Sequence, residues 1–188
     1  MPLKHKNTFA SHFASATSVQ WSPNGSKFCI TFTNHIIQVW GFGNNKNNVI
    51  GYLCGHTGPV YCAAWSPKEQ RICSGSGDNT IRVWCIADST TKHILTGHDA
   101  AVTCVDWSFD GQHIFSGSVD YSVRVWLADT GLLLRTIGMH DKRVTSVACN
   151  PILTNLLVST SVDESICVWN IGTKPQLATR LEFMCSGS

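Results

Sequence analysis

Histidine and aspartate recur along this chain in fixed register, with serine nearby in the same segments. The aspartates lie six positions before a tryptophan, and asparagine replaces the first of them: Asn34, Asp78, Asp120 and Asp163. The histidines lie nine positions before Trp21, Trp65, Trp107 or Cys149, and they are His12, His56, His98 and His140. Serine, histidine and aspartate can serve as a nucleophile, its base and the group that orients the base, so nucleophilic catalysis is the first chemistry to consider.

The repetition of these residues argues against catalysis, because an active site needs one convergent set of groups. A feature copied in successive segments meets a recurring structural need, such as satisfying buried turn amides and fixing a packed indole. The sequence also lacks a nucleophile elbow, a phosphate-binding loop and a paired-cysteine metal motif. We therefore predict that the chain is not an enzyme, needs no cofactor and binds no metal.

The elements that carry these residues are short strands. Four tryptophans, at intervals of 44, 42 and 43 residues, each close a run of alternating apolar and polar residues: Trp40, Trp84, Trp126 and Trp169. Within one interval, strand-like segments at 60–65, 71–74, 80–84 and 93–95 are separated by turns rich in Gly, Pro, Asn and Asp. A sheet this small cannot cover both of its faces, so successive units must stack on one another. The sequence predicts an all-β repeat fold.

The repeats resemble the WD-repeat family of β-propellers from residue 12 to about residue 183. The resemblance rests on two motifs, Gly55-His56 and Gly97-His98 for the first, Ser74-Gly75-Ser76 and Ser116-Gly117-Ser118 for the second, with altered copies in the outer repeats. It implies four four-stranded blades at about 12–55, 56–97, 98–139 and 140–183. An amino-terminal strand or tail at 1–11 and a tail at 184–188 flank them. Four blades imply a partial propeller or half of a larger ring.

In the family that the chain resembles, a histidine, a strand serine, a turn aspartate and a tryptophan form a hydrogen-bonded tetrad within a blade. The resemblance implies three structural tetrads here: His56, Ser74, Asp78 and Trp84; His98, Ser116, Asp120 and Trp126; His140, Ser159, Asp163 and Trp169. The first repeat departs from this pattern, because Ile30 stands in the place of the serine and Asn34 in that of the aspartate. We expect the first blade to be the weakest.

The number of blades raises the question of what covers the two ends of the stack. Rings of this family usually have about seven blades, and an open terminal blade would expose an apolar face and unpaired strand edges. Three arrangements remain open: a closed four-bladed ring, a homodimer that completes eight blades, or a part of a longer propeller. Two candidate strands, at 8–10 and 177–183, compete for the outer edge of the last blade, which favours missing blades or a second molecule. The isolated chain is thus predicted to form oligomers in solution or not to be a stable, monodisperse monomer.

Propellers of this family generally act as rigid platforms that hold partner peptides at the rim of the central channel. The resemblance places the rim at the start of each inner strand and just before each turn aspartate, which gives Thr17, Tyr61, Thr103, Val119, Arg143, Thr145 and Val162 as partner-binding candidates. Tyrosine and arginine dominate the energetics of protein interfaces, so this rim suggests a peptide ligand that contains a carboxylate. The predicted function is a non-catalytic protein–protein interaction scaffold within a multiprotein complex.

Charge and composition narrow the classes of partner. With 14 Lys+Arg against 12 Asp+Glu, the formal charge of +2 is too balanced for a general nucleic-acid or membrane surface. An RNA-associated subunit is the alternative, and it requires residues 4–6, Lys142, Arg143 and the strand arginines to form one patch. Arg82 and Arg124 are instead expected on a solvated strand face. The absence of long apolar runs and of a secretory signal, with nine cysteines mostly on strands, predicts a cytoplasmic or nuclear protein.

Overall fold

In the computed structural model of the chain, the described residues are 14–42, 48–68, 70–153, 155–172 and 176–182. They form four antiparallel sheets of four strands, and strands that are consecutive in sequence are hydrogen-bonded neighbours within each sheet. We call each sheet a blade and number the blades in chain order. The strands are, in blade 1, β1 (Ala16–Trp21), β2 (Lys27–Phe32), β3 (Ile36–Gly41) and β4 (Asn48–Cys54); in blade 2, β5 (Val60–Trp65), β6 (Arg71–Ser76), β7 (Ile81–Cys85) and β8 (Thr90–Leu95); in blade 3, β9 (Val102–Trp107), β10 (His113–Ser118), β11 (Ser122–Leu127) and β12 (Leu133–Met139); and in blade 4, β13 (Val144–Cys149), β14 (Leu156–Ser161), β15 (Ser165–Asn170) and β16 (Gln176–Glu182).

The turn between the second and third strands has the same backbone geometry in all four blades. The residue after the turn asparagine or aspartate has a positive φ of between 66° and 72°, in His35, Asn79, Tyr121 and Glu164. This left-handed conformation is unfavourable for a residue other than glycine. An Asx-type hydrogen bond stabilises such a turn: Asp78 Oδ1 accepts the main-chain N–H of Thr80 at 3.0 Å. The turn aspartate thus shapes the backbone as well as taking part in the tetrad.

The blades stack through their first strands, which line the centre of the molecule. β1 contacts β5, β5 contacts β9, and β9 contacts β13. Three apolar clusters fill the three interfaces, and each combines side chains from two consecutive blades, such as Val39 with Trp65, Cys73 with Val102, and Phe115 with Val144. This arrangement explains why five of the six residues are buried in the second strand of blade 2 and of blade 3, because these blades have a neighbour on each face.

The glycine of the Ser-Gly-Ser motif permits the close approach of two blades. A Cβ atom on Gly75 would lie 2.6 Å from Cγ1 of Val102 in the next blade, and one on Gly117 would overlap with Cγ1 of Val144. Such distances are shorter than van der Waals contact, so a larger residue would force the blades apart. In blade 4, Thr160 occupies the same place of the repeat.

At two equivalent interfaces, a large and a small side chain face each other, but the blade that contributes the large one differs. Between blades 2 and 3, the small side chain of Cys73 packs in the same cluster as the indole of Trp107. Between blades 3 and 4, the large side chain is Phe115, which is fully buried, and the small one is Cys149, which packs against the same cluster. Because a core keeps its total volume more strictly than the identity of each residue, the ring of Phe115 accounts for the absence of a tryptophan at position 149.

The four blades form an open arc, which confirms the prediction of an all-β partial propeller. Within the described residues, β13 and β1 share no interface like the three between consecutive blades, so the closed four-bladed ring is not adopted. The predicted strand at 177–183 is present as β16 (Gln176–Glu182), which pairs with β15. The competing segment at 8–10, the histidine at position 12 and the predicted tail at 184–188 lie outside the described residues. No helix that could span a membrane occurs in the described part of the chain.

Candidate functional site

The residues of the predicted tetrad in blade 2 form a continuous hydrogen-bonded chain. His56 Nδ1 lies 2.8 Å from Asp78 Oδ2, and His56 Nε2 lies 2.8 Å from Ser74 Oγ. The indole N–H of Trp84 donates to the same Ser74 oxygen at 2.8 Å. Since a carboxylate can only accept, the imidazole proton is on Nδ1, and Ser74 donates its hydroxyl proton to Nε2 while it accepts from Trp84. Every polar atom of this set therefore has a partner.

The same connections are present in blades 3 and 4. The histidine–aspartate, histidine–serine and tryptophan–serine distances range from 2.7 to 3.0 Å in both blades. The residues involved are His98, Asp120, Ser116 and Trp126 in blade 3 and His140, Asp163, Ser159 and Trp169 in blade 4. In blade 1, where Ile30 and Asn34 interrupt the pattern, the indole N–H of Trp40 donates to the side chain of Gln38 instead.

These tetrads cannot act as serine nucleophiles. A nucleophilic oxygen must reach a substrate, whereas Ser74 and Ser116 are 0% exposed and Ser159 is 1% exposed. In addition, the serine oxygen in each blade accepts a hydrogen bond from the tryptophan N–H while its hydroxyl donates to the histidine. The hydrogen bonds instead hold three parts of the blade together: the tryptophan of the third strand, the histidine that precedes the first strand, and the turn that carries the aspartate.

The ionisation of the tetrads is set by burial and by hydrogen bonds. Burial lowers the pKa of His56 and of His98 and outweighs the opposing effect of the aspartate beside each ring, so both histidines are neutral. Burial alone would raise the pKa of Asp78 and Asp120. Each carboxylate accepts hydrogen bonds from the hydroxyl two residues later, from a main-chain N–H and from the histidine. These bonds outweigh the effect of burial and lower the pKa of both carboxyls to about 2.

These pKa shifts predict a loss of stability in acid. His56 and His98 take up protons more readily in the unfolded chain, so stability is present above their ordinary pKa of 6.5 and falls as the pH drops below it. The depressed pKa of Asp78 and Asp120 adds a second loss between about pH 4 and pH 2. Urea titrations at pH 7.5, 5.5 and 3 should give successively lower midpoints.

A His98→Asn variant provides the control for the first step. It should be less stable than the parent at pH 7.5 and should lose less stability between pH 7.5 and pH 5.5, because one titrating histidine is gone. A parent chain whose urea midpoint is unchanged between these two pH values would contradict the assignment of neutral, buried histidines.

The tetrads hold the channel rim in place through the turn aspartates. Asp78 Oδ2 accepts the main-chain N–H of Thr57, and so it ties the entry of the first strand to the turn that bears the rim. The residue before each turn aspartate or asparagine then donates its main-chain N–H to the residue just before the first strand. These pairs are Thr33 to Ser15, Gly77 to Pro59, Val119 to Ala101 and Val162 to Arg143, at 2.8 to 3.2 Å.

The structure brings four of the predicted rim residues together at a central cavity of about 390 Å³. The cavity is bounded by the first strands of all four blades and is lined, among others, by Thr17, Tyr61, Thr103 and Thr145. The other three predicted residues, Val119, Arg143 and Val162, do not line this cavity but are exposed, and Tyr61, Val119 and Val162 have 37–40% of their surface accessible. The rim is therefore an apolar edge with one cation beside a more polar channel.

Two of the rim threonines have a role inside the protein. The hydroxyl of Thr17 donates to the main-chain oxygen of Val60 at 2.5 Å, and that of Thr103 donates to the main-chain oxygen of Val144 at 2.6 Å. Both bonds join one blade to the next, so these hydroxyls connect consecutive blades. Thr145, in the last blade, lies 2.8 Å from the hydroxyl of Thr160 of its own blade.

Asp106 is a feature of the channel that the sequence reasoning missed. Its side chain accepts the main-chain N–H groups of Trp107 and Cys149, both at 2.8 Å, and burial raises its pKa. An alignment of the repeats could have found it, because a charge stands there in the middle of a first strand, where the other blades have Gln20, Ala64 and Ala148. No cluster of metal-binding side chains occurs in the parts of the chain that the structure covers.

The expectation that Arg82 and Arg124 lie on a solvated face is wrong. The side chain of Arg124 is only 13% exposed, and its Nη2 lies 3.6 Å from Asp120 Oδ2. The guanidinium of Arg82 lies 5.8 Å from the centre of the Trp84 ring, in a cation–π arrangement. Because these cations pack against the tetrads, they do not supply the basic surface that an RNA-binding role would require.

Comparisons with known proteins agree with this geometry. The family model described as "WD domain, G-beta repeat" matches residues 3–41, 47–85, 89–126 and 131–170. WD repeat-containing protein 1 of Gallus gallus is 31% identical over 84 residues, which are 44% of this chain and 14% of that protein. Protein HIRA of Dictyostelium discoideum is 30% identical over 82 residues, or 39% of this chain and 7% of that protein. A chain in the crystal structure of a mitotic checkpoint complex superposes with a TM-score of 0.84 at 24% identity, covering 92% of this chain and 52% of that one.

Proposed function

Because the chain belongs to the WD-repeat family of β-propellers, we propose that it is a non-catalytic interaction subunit of a multiprotein assembly whose channel rim binds a peptide segment of a partner. The observation that carries the proposal is a set of exposed side chains on a fixed backbone. Tyr61, Val119 and Val162 are 37–40% exposed, while the rim backbone beneath them is held by hydrogen bonds. A rim that is already ordered binds a peptide at a low entropic cost.

The chemistry of the rim defines the peptide that we expect. Tyr61 lies with its ring against Gly77, where a Cβ would come within 3.4 Å of the phenol, so the ring packs on the backbone of the turn. Val119 and Val162 add apolar surface, and Arg143 adds the positive charge. A peptide with an apolar side chain next to an aspartate, a glutamate or a carboxyl terminus complements these groups.

The setting of this interaction follows from the family and from the cysteines. The structural neighbour is part of a mitotic checkpoint complex, and two of the relatives are named WD repeat-containing protein 1 and Protein HIRA. The cysteines in the described ranges are free thiols, and burial raises the pKa of several of them, such as Cys29 to about 12. Unreactive free thiols suit a reducing compartment. We accordingly place the protein in the cytoplasm or the nucleus.

A peptide selection would test the rim. Peptides selected by phage display on the whole chain should contain an apolar residue beside a carboxylate, and calorimetry should give the Kd of the best one. Replacing Tyr61 by alanine should weaken that Kd by roughly tenfold or more, because a tyrosine anchor is removed from the site. Replacing Arg143 by alanine should weaken it and should remove the preference for a carboxylate.

Tyr52→Ala is the matched control, because Tyr52 is 55% exposed but lies on the outermost strand of blade 1. This variant should bind the selected peptide as the parent does. A Tyr61→Ala, Arg143→Ala double variant that is folded and retains the parent Kd would show that the rim is not the binding surface.

A further inference from the structure

The preceding face of blade 1, which is the face that no other blade covers, displays the side chains that blades 2 to 4 bury. Val19 is 61% exposed and Trp21 is 53% exposed, and Ala16 is exposed as well. The equivalent residues of the other blades pack against the blade before them and are buried or half-buried: Val60, Ala63 and Trp65; Val102, Val105 and Trp107; Val144, Val147 and Cys149. Within the described residues, blade 1 thus exposes on this face the side chains through which blades 2 to 4 pack on the blade before them.

The following face of blade 4 has the opposite character and resembles the receiving face of blade 1. In blade 1, the hydroxyls of Thr17 and Thr31 are 2.7 Å apart, and Val60 of the next blade lies beside them and accepts the Thr17 hydroxyl at its main-chain oxygen. In blade 4, Thr145 and Thr160 form the same pair at 2.8 Å, and Thr145 is exposed. The hydroxyl of Thr145 is thus bonded within its own blade, whereas the equivalent hydroxyls of Thr17 and Thr103 also bond to the next blade.

The repeat positions that receive an indole in blade 2 can be compared with those of blade 4. Trp107 is received by the small residues Ala64 and Cys73 of blade 2, and its N–H donates to the main-chain oxygen of Ala64 at 3.0 Å. The same repeat positions of blade 4 hold Ala148 and Val158, and Val158, although larger than Cys73, is smaller than Phe115 of blade 3. In blade 3, where Phe115 takes this place, the next blade has no tryptophan. Blade 4 is therefore suited to an incoming tryptophan.

We propose that blade 1 of a second copy of this chain docks on blade 4, so that two copies close a ring of eight blades around a two-fold axis. Blade 1 offers two groups that blade 4 can use: the indole N–H of Trp21 for the main-chain oxygen of Ala148, which is equivalent to Ala64, and the main-chain oxygen of Ala16 for the hydroxyl of Thr145. Thr160 stands where blade 1 has Thr31, and blade 1 receives Val60 of the next blade, so a threonine at this position does not prevent docking of the smaller Ala16. Two identical interfaces leave no open blade, which satisfies closed symmetry. The inference stands independently of the rim proposal.

Thiol cross-linking between two different variants would detect this contact. A Cβ on Gly75 lies 3.1 Å from the Val102 Cβ, so cysteines at the equivalent positions 16 and 160 of two copies would be close enough to form a disulfide. One sample carries Ala16→Cys and the other Thr160→Cys, and diamide oxidises the two thiols to a disulfide while it is reduced to the hydrazine. The mixture should give a covalent dimer that neither variant alone, nor the parent with its native cysteines, gives.

The mass of the parent chain in solution provides the second readout. Light scattering should give twice the protomer mass of 20.6 kDa, and Trp21→Lys should return it to one protomer with the β-sheet circular dichroism retained. Phe109→Lys, at a residue that is 62% exposed in a turn of blade 3, should leave the doubled mass unchanged. A monodisperse protomer without the mixed disulfide would overturn the proposal. So would a disulfide within one chain of the Ala16→Cys, Thr160→Cys double variant.

Discussion

Replacing Trp84 with alanine should lower the free energy of unfolding by about 3–5 kcal/mol. The indole is 0% exposed and packs edge-on against His56, with ring centres 5.9 Å apart. Its N–H donates to Ser74, whose oxygen would lose that donor in the variant. The residue also belongs to the apolar cluster between blades 1 and 2, so the cavity would weaken the contact between two blades and not only within one.

Two further substitutions separate packing from hydrogen bonding at this site. Trp84→Phe keeps most of the ring but loses the N–H, and it should cost about 1–3 kcal/mol. Phe109→Ala removes an aromatic ring that is 62% exposed, and it should change the stability by less than about 0.5 kcal/mol. Urea denaturation at one fixed protein concentration measures all three, since association would make stability depend on concentration. A Trp84→Ala chain as stable as the Phe109→Ala chain would show that the indole is not a core residue.

Replacing Asp120 with alanine should cost about 3 kcal/mol or more, which is large for a polar side chain. One carboxylate oxygen accepts from His98 at 2.7 Å and from the main-chain N–H of Asp99 at 3.1 Å. The other accepts from the main-chain N–H and the hydroxyl of Ser122 at 2.9 and 2.7 Å. Alanine would leave these donors without an acceptor in a place with little access to water, and it would remove the bond that supports the positive φ of Tyr121.

Asp129→Ala is the matched control for Asp120, because it also removes an aspartate that is paired with an arginine. Asp129 lies 2.8 Å from Arg71, but its side chain is 77% exposed, and exposed ion pairs contribute roughly 0–1 kcal/mol. Asp120→Asn should fall between the two, since an amide oxygen can still accept from the turn while the amide nitrogen cannot. Equal urea midpoints for Asp120→Ala and Asp129→Ala would mean that the tetrad contributes little to stability.

The repeat and the strands could be predicted from the spacing and alternation of residues alone, because both are periodic along the chain. The set of His56, Ser74, Asp78 and Trp84 came from the resemblance to the WD-repeat family, whose motifs lie within one repeat. The departures of the first repeat, at Ile30 and Asn34, could be read in the same way. Features within one blade recur at a fixed spacing along the chain, so they can be recognised from one sequence.

The side-chain contacts between blades could not be predicted from the sequence and required the three-dimensional structure. The residues in contact there come from different repeats, and which of them meet depends on how the blades pack and not on the repeat period. The hydroxyl of Thr103 joins two blades although its position suggested the rim, and Arg124 packs beside Asp120 although its register suggested solvent. Two further contacts are also made between different repeats: Asp106 accepts the main-chain N–H of Cys149, and the large ring of Phe115 packs in the same cluster as the small side chain of Cys149. The open arc is decided there as well, since the blades pack in sequence order and, within the described residues, β1 and β13 share no interface like those between consecutive blades.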